Sequence, residues 1–293
     1  YARQSARMVT PEDLLSLKHQ VPADRLSEEA DYHRLWMSQL DESWTAEQTA
    51  FAGGLISDRL AFLFISGYQA AVRRTFNLDN RAWTVLAISE DRNPDQPRPG
   101  LTESNGRVSG FKTWVASSRF AQDLIVSIDT TRLFIANRDT PGLSLAHKDA
   151  PGFLSDMSQG IAEFKEVSIS DLQPLGEFDL KLFAKREPLY LYFAFCGFLH
   201  RVFQQRGCPD ITTLLDDLLK IASGDFTDPA HKALFAKTDT KISEIFSELA
   251  PDLFAGDYEK DKGLMSLYST VIQKRAGLGE QPIQRKPGPK AEI

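Results

Sequence analysis

Two stretches of this 293-residue chain hold residues whose types and spacing could do chemistry. One is Glu187, which precedes Pro188 and the apolar run Leu189 to Leu199. A carboxylate removes protons near neutral pH only when desolvation raises its pKa. Burial ahead of an apolar helix would do this, whereas Lys185 and Arg186 favour the charged form and lower it. The competing role is structural: an acid just before a proline complements a helix N-terminus. The other stretch runs from Asn105 to Ser118 and on through Asp123 to Val126. Asn105-Gly106 marks a tight turn and Gly110 a second one. The strand that follows ends on Trp114, an exposed-type aromatic suited to filling a junction between domains, and a polar loop carries Ser117 and Ser118.

Several chemistries are excluded. There is no G-x-S-x-G elbow, no P-loop and no G-x-G-x-x-G. The five histidines are scattered, none beside another His or Cys at ligand spacing, so no dedicated metal site is expected. A net charge of -6 argues against nucleic acid as a partner. Cys196 and Cys208 form no disulfide framework. Cys196 reads as a small buried hydrophobe, and the reducing cytoplasm is the expected compartment. Leu189 to Leu199 falls well short of the ~20 residues that span a bilayer. It reads as a buried or interface helix, with no membrane role. Tyr1 to Arg7 is polar and basic, without the apolar stretch of a secretory leader.

The elements that must position these residues fall into three blocks. Residues 8–77 read as helical. Thr10-Pro11-Glu12-Asp13 is a start signal, and Thr45 with Gln48 is a capping box. The run Leu60 to Ile65 is apolar nearly all round, so its helix is buried on more than one side. Gly53-Gly54 marks a helix junction, Gly67 permits close approach of a neighbour, and Asp58-Arg59 reads as a solvated or interhelical ion pair. Residues 78–176 hold short strands at Trp83–Ser89, around Val108 and Trp114, at Asp123–Ile128, Thr131–Ala136 and Phe164–Ile169. Frequent turns between them predict a β-barrel or sandwich. Residues 177–277 return to helices near Pro188–Gln205, Asp210–Ala222, Pro229–Leu249 and Lys260–Ala276, with Gly207, Gly224 and Gly277 as C-terminal caps. Short connections imply an antiparallel four-helix bundle. Residues 278–293 read as a disordered tail.

The Asn105–Val126 segment resembles the middle β-domain of the acyl-CoA dehydrogenase family, where "G.K.WIT" is followed by "AD" and a buried strand. Leu86-Ala87-Ile88-Ser89-Glu90 is similar to the family's "(C/F)A(L/M)TEP" strand, and Phe164–Ile169 with Leu175-Gly176 to its "F.dV.VP…llG". Glu187 stands ten residues before Gly197, the spacing of "ER….A….G" in relatives of the isovaleryl and long-chain enzymes. The resemblance covers roughly residues 45–205. It implies an α+β multidomain protein of N-terminal helices, central β-barrel domain and C-terminal four-helix bundle. It also implies FAD as cofactor, an acyl-CoA or similar acyl thioester as substrate, and oxidation at a CH–CH bond. Glu187 would be the base, and Ser89, Trp114, Ala116 and Ser117 the flavin contacts.

The chain departs from the family pattern in the missing "AGSD" after the "TEP"-like string. It lacks a counterpart of "R..FG" near residues 210–220 and the late "YEGT" region. A second reading follows: a cofactor-free relative acting as a binding or scaffold protein, beside an active homologous subunit. Helices apolar on several faces imply a homo-oligomer, most simply a twofold dimer.

Overall fold

A computed structural model describes residues 8–17, 25–78, 82–93, 95–128, 132–148, 152–176, 178–203 and 211–278. The first helices are α1 (Pro11–Leu15), α2 (Glu29–Gln39), α3 (Ala46–Ile56) and α4 (Leu60–Phe76). Their starts follow the caps written in the sequence. Thr10 and Asp13 close one capping box, and Thr45 and Gln48 close another. Gly53 and Gly54 do not separate two helices: both lie inside α3. They allow contact instead, since a Cβ on Gly54 would lie 1.8 Å from the Ala194 carbonyl oxygen. The break falls at Ser57 to Arg59, where Asp58 and Arg59 are buried rather than solvated. Arg59 pairs with Asp58 and, across to the β region, with Asp156, each at 2.8 Å.

The strands form two four-stranded sheets. One has the order β1 (Thr84–Ala87), β4 (Asp123–Ile128), β5 (Arg132–Asn137), β8 (Gln173–Gly176). The other has the order β2 (Thr102–Ser104), β3 (Arg107–Ala116), β7 (Gln159–Ser168), β6 (Leu143–His147). β1 runs parallel to β4, with Val85 opposite Leu124, and the other pairings are antiparallel. Alternation on β3 buries Val108, Gly110 and Lys112. The fully buried Lys112 ammonium reaches Glu90 at 2.9 Å and Ser127 of β4 at 3.2 Å, tying one sheet to the other. β6 and β8 are not among the strands expected from the sequence: their residues are mostly exposed.

β1 is a sheet edge, and buried edge groups need partners. Helix α4 supplies them. The Tyr68 hydroxyl accepts from Leu86 N–H at 2.6 Å and donates to Leu86 C=O at 3.2 Å. Gln69 Nε2 donates to the Thr84 carbonyl at 3.0 Å.

The second helical block holds α5 (Leu180–Phe203), α6 (Ile211–Ser223), α7 (Pro229–Glu248), α8 (Tyr258–Asp261) and α9 (Gly263–Arg275). α5 begins eight residues earlier than the sequence pattern suggests, so Pro188 lies inside it. Its stretch from Pro188 to Leu199 is buried, with Cys196 in the core. α5 packs on α3 and α4 as well as on α6, which joins the two helical blocks. Gly67 and Gly197 make this possible. A Cβ on Gly67 would lie 2.5 Å from Leu191 Cα, and one on Gly197 would lie 2.1 Å from the Phe51 carbonyl oxygen. Among the described residues no helix is long and apolar enough to cross a membrane. Gly207, Cys208 and the tail from residue 279 lie outside the described residues.

Candidate functional site

A proline inside a helix has no N–H, so the carbonyl four residues earlier loses its partner. In α5 that orphan is the Ala184 carbonyl, and Arg275 at the end of α9 donates to it at 3.0 Å. Two turns of α9 earlier, the Tyr268 hydroxyl donates to the Glu187 carboxylate. Glu187 is therefore not a helix-terminus residue. It sits in the interior of α5, partly buried, held by α9 on one side and close to Tyr68 of α4.

Burial pushes the Glu187 carboxyl up to about 7, against the opposing pull of the Tyr268 hydrogen bond and the Arg275 charge. The pull expected from Lys185 and Arg186 is replaced by that of Arg275. Arg186 turns away and donates to the Arg74 carbonyl at 3.1 Å. Burial and the adjacent carboxylate hold the Tyr268 hydroxyl well above its ordinary value, so it stays protonated and donating. A carboxylate that titrates near neutrality and is oriented by a fixed donor has the properties of a general base.

Trp114, near the end of β3, is partly buried where the β region meets α4. Its indole N–H donates to Gln159 Oε1 at 3.1 Å. The rings of Phe64 and Tyr68 meet it at 67° and 90°, each with centroids 6.2 Å away. Tyr68 is thus the residue common to Trp114, the β1 edge and Glu187, and Phe183 of α5 packs edge-on against it at 5.8 Å. Ser89 is exposed just beyond β1, where its carbonyl accepts from Thr113 N–H at 2.8 Å. That bond places Ser89 beside the residue preceding Trp114.

Ala116 and Ser117 go elsewhere. Ala116 is buried, and Ser117 has φ of 49° and donates its hydroxyl to Glu29 Oε1 of α2 at 2.6 Å. Glu29 also accepts from Ser158 N–H at 2.7 Å, and burial raises its pKa. Trp114 presents a half-buried ring fixed by Gln159, with exposed Ser89 one strand away. The Ser117 side chain is committed to the α2 contact, and Ala116 is buried opposite Gln159 of β7.

Tyr68, Tyr268, Arg275, Gln159 and Glu29 complete these contacts without having stood out in the sequence. Tyr68 and Gln69 carry one usable signal: buried polar groups on an all-apolar helix must find partners. Tyr268 and Arg275 carry none, because their partner is made some 80 residues away in the chain. Among the described residues no cluster of His, Cys, Asp and Glu is able to hold a metal ion.

The same architecture recurs among solved structures. An FAD-dependent dehydrogenase aligns with 86% of this chain and 94% of its own, at 13% identity and a TM-score of 0.52. An acyl-CoA dehydrogenase from Geobacillus kaustophilus aligns with 86% of this chain and 93% of its own, at 12% identity and a TM-score of 0.48. A glutaryl-CoA dehydrogenase from Mycobacterium smegmatis aligns with 84% and 89%, at 13% identity and a TM-score of 0.45. No family model matches the sequence, and no curated protein matches it. The fold is acyl-CoA dehydrogenase-like, and at 13% identity the likeness is one of fold alone.

Proposed function

We propose that the chain is a flavin-dependent oxidoreductase acting on the CH–CH bond of an acyl thioester such as an acyl-CoA. The observation that carries this reading is Glu187: a carboxyl held by Tyr268, with its pKa pushed up to about 7, in the interior of the helix that faces Tyr68, whose ring in turn meets Trp114. Its task is to take a proton from the carbon α to the thioester carbonyl. The Tyr268 hydroxyl orients the accepting carboxylate, and Arg275 keeps a fraction of it ionised at neutral pH. Trp114 and Ser89 would hold the ring of FAD, which when bound supplies the acceptor for the hydride leaving the β-carbon. The ring of Trp114, fixed by Gln159, shields one side of that junction from water. A twofold dimer and a cytoplasmic location belong to the same reading.

One observation favours the second reading, a cofactor-free binding or scaffold protein that accompanies an active homologue. Two of the four expected flavin contacts are enclosed: Ala116 is buried, and Ser117 is bonded to Glu29 of α2. The visible spectrum of the purified protein separates the two readings, recorded before and after incubation with FAD and gel filtration. A retained flavin band supports the enzyme, and acyl thioesters are then screened with Glu187→Gln as the control. Turnover unchanged by that substitution rejects Glu187 as the base. No band after reconstitution with excess FAD rejects the enzyme.

A further inference from the structure

Arg275 borders a second feature besides Glu187. A cleft of about 670 Å³, including its open mouth, lies between α5, the α6–α7 turn, the start of α7 and α9. Its walls are apolar: Phe235 and Ile272 are buried, at 7% and 3% exposure, and Phe226 is partly buried. Phe226 stands edge-on to His231, whose ring is fixed by a 3.0 Å contact from Nε2 to the Ile221 carbonyl. The polar part of the lining is one-signed. Lys185, Lys232 and Arg275 contribute three cations, and among the described residues no carboxylate lines the cleft. Asp225, outside the lining, lies near Lys185 and His231; its bonds from the Thr227 N–H and hydroxyl, each at 2.7 Å, keep it ionised, so it offsets part of the Lys185 charge and leaves those of Lys232 and Arg275. In a chain of net charge -6, three cations around one apolar cleft are a local reversal of sign.

We propose that this cleft binds an amphipathic organic anion. Its apolar chain lies against Phe226, Phe235 and Ile272, and its carboxylate or phosphate lies among Lys185, Lys232 and Arg275. A pocket with apolar walls and a few convergent charges selects a ligand by both properties together. An inorganic anion leaves the phenylalanine wall unused, and a neutral alkyl chain leaves the cations without a counter-charge. Arg275 gives one N–H to Ala184 and has others for a ligand. The site stands on the cleft alone and does not require that a flavin binds.

The test is titration calorimetry of the full chain with octyl phosphate and with octanoate, both below their micelle thresholds. Saturable one-to-one binding is expected for at least one of them. Affinity falls tenfold or more in Lys232→Glu and in Lys185→Glu, two partly exposed positions, and is unchanged in the distant Lys165→Glu. Inorganic phosphate and octanol each bind at least tenfold more weakly than the tighter amphiphile. Tighter binding of octyl phosphate assigns the site to a phosphate ester, and tighter binding of octanoate assigns it to a fatty carboxylate. The proposal is overturned if neither amphiphile saturates, if both charge reversals leave affinity unchanged, or if octanol binds as tightly as the anions.

Discussion

Replacing Glu187 by Gln should make the protein more stable, and only above a certain pH. The carboxyl has an ordinary value of 4.5 and is pushed to about 7 in the fold. Below pH 4.5 the group is protonated in both folded and unfolded chains, so it contributes no pH-dependent difference. Between 4.5 and 7 the unfolded chain releases the proton while the folded one retains it, and stability falls steadily. Above 7 the loss is complete. At about 1.4 kcal/mol for each tenfold change in proton affinity, it amounts to about 3 kcal/mol. Glutamine carries no charge to desolvate and still offers a carbonyl oxygen to the Tyr268 hydroxyl. Glu187→Gln should therefore match the parent at pH 4.5 and exceed it at pH 8 by about 3 kcal/mol, or about 5 °C in Tm. Urea denaturation of both proteins at the two pH values measures this. Equal stabilities at pH 8, or a variant less stable there, would refute the claim that the carboxyl is held in an unfavourable enclosure. An enclosure of that kind is what a base poised near neutrality requires, so the same result would weaken the catalytic reading.

Three further perturbations test the frame around the site. Tyr68→Phe removes both bonds to Leu86 and leaves a buried strand edge unsatisfied, a loss of about 2 kcal/mol in chemical denaturation. Lys112→Ala strands Ser127 and opens a void between the sheets, with an expected loss of about 3 kcal/mol, whereas Lys112→Met, which fills the same space, loses less; equal losses would show that packing around the ammonium contributes nothing. Gly54→Ala drives a methyl into the Ala194 carbonyl and forces α3 off α5, so its Tm should fall more than that of Gly152→Ala, where a Cβ meets nothing within 4 Å.

The parts of the fold that were legible are those fixed by local pattern. Asp123–Ile128 reads as a buried strand from its branched, apolar residues and is β4 over that same span. The Thr45–Gln48 box starts α3 because the reciprocal bonds need only four neighbouring residues. The helix start expected at Pro188 failed where a distant residue overrides a local rule. Pro188 ordinarily opens a helix, but Arg275 of α9 supplies the missing donor for Ala184, so α5 continues through it. Ser117 is similar, since its hydroxyl has a sequence-local place in the loop after Trp114 and a partner, Glu29, 88 residues earlier. β8 escaped notice because its mostly exposed residues include a proline and a glycine, and β6 because its alternation, Leu143-Ser144-Leu145, is only three residues long beside the Pro141-Gly142 turn. The arrangement of Glu187, Tyr268 and Arg275 depends on helix contacts that no single stretch encodes.

The glycine-lined contact of α3 and α4 with α5 also bears on how the chain is made. Most of α3 and of α4 is apolar on every face, and the helix that covers them begins at Leu180, about 100 residues after α4 ends. At ribosomal speeds of about 10 residues per second, these two helices wait roughly ten seconds for their partner. Until α5 emerges they present a sticky surface in a crowded cell, so holding chaperones and unhurried translation at low temperature should govern how much native protein accumulates.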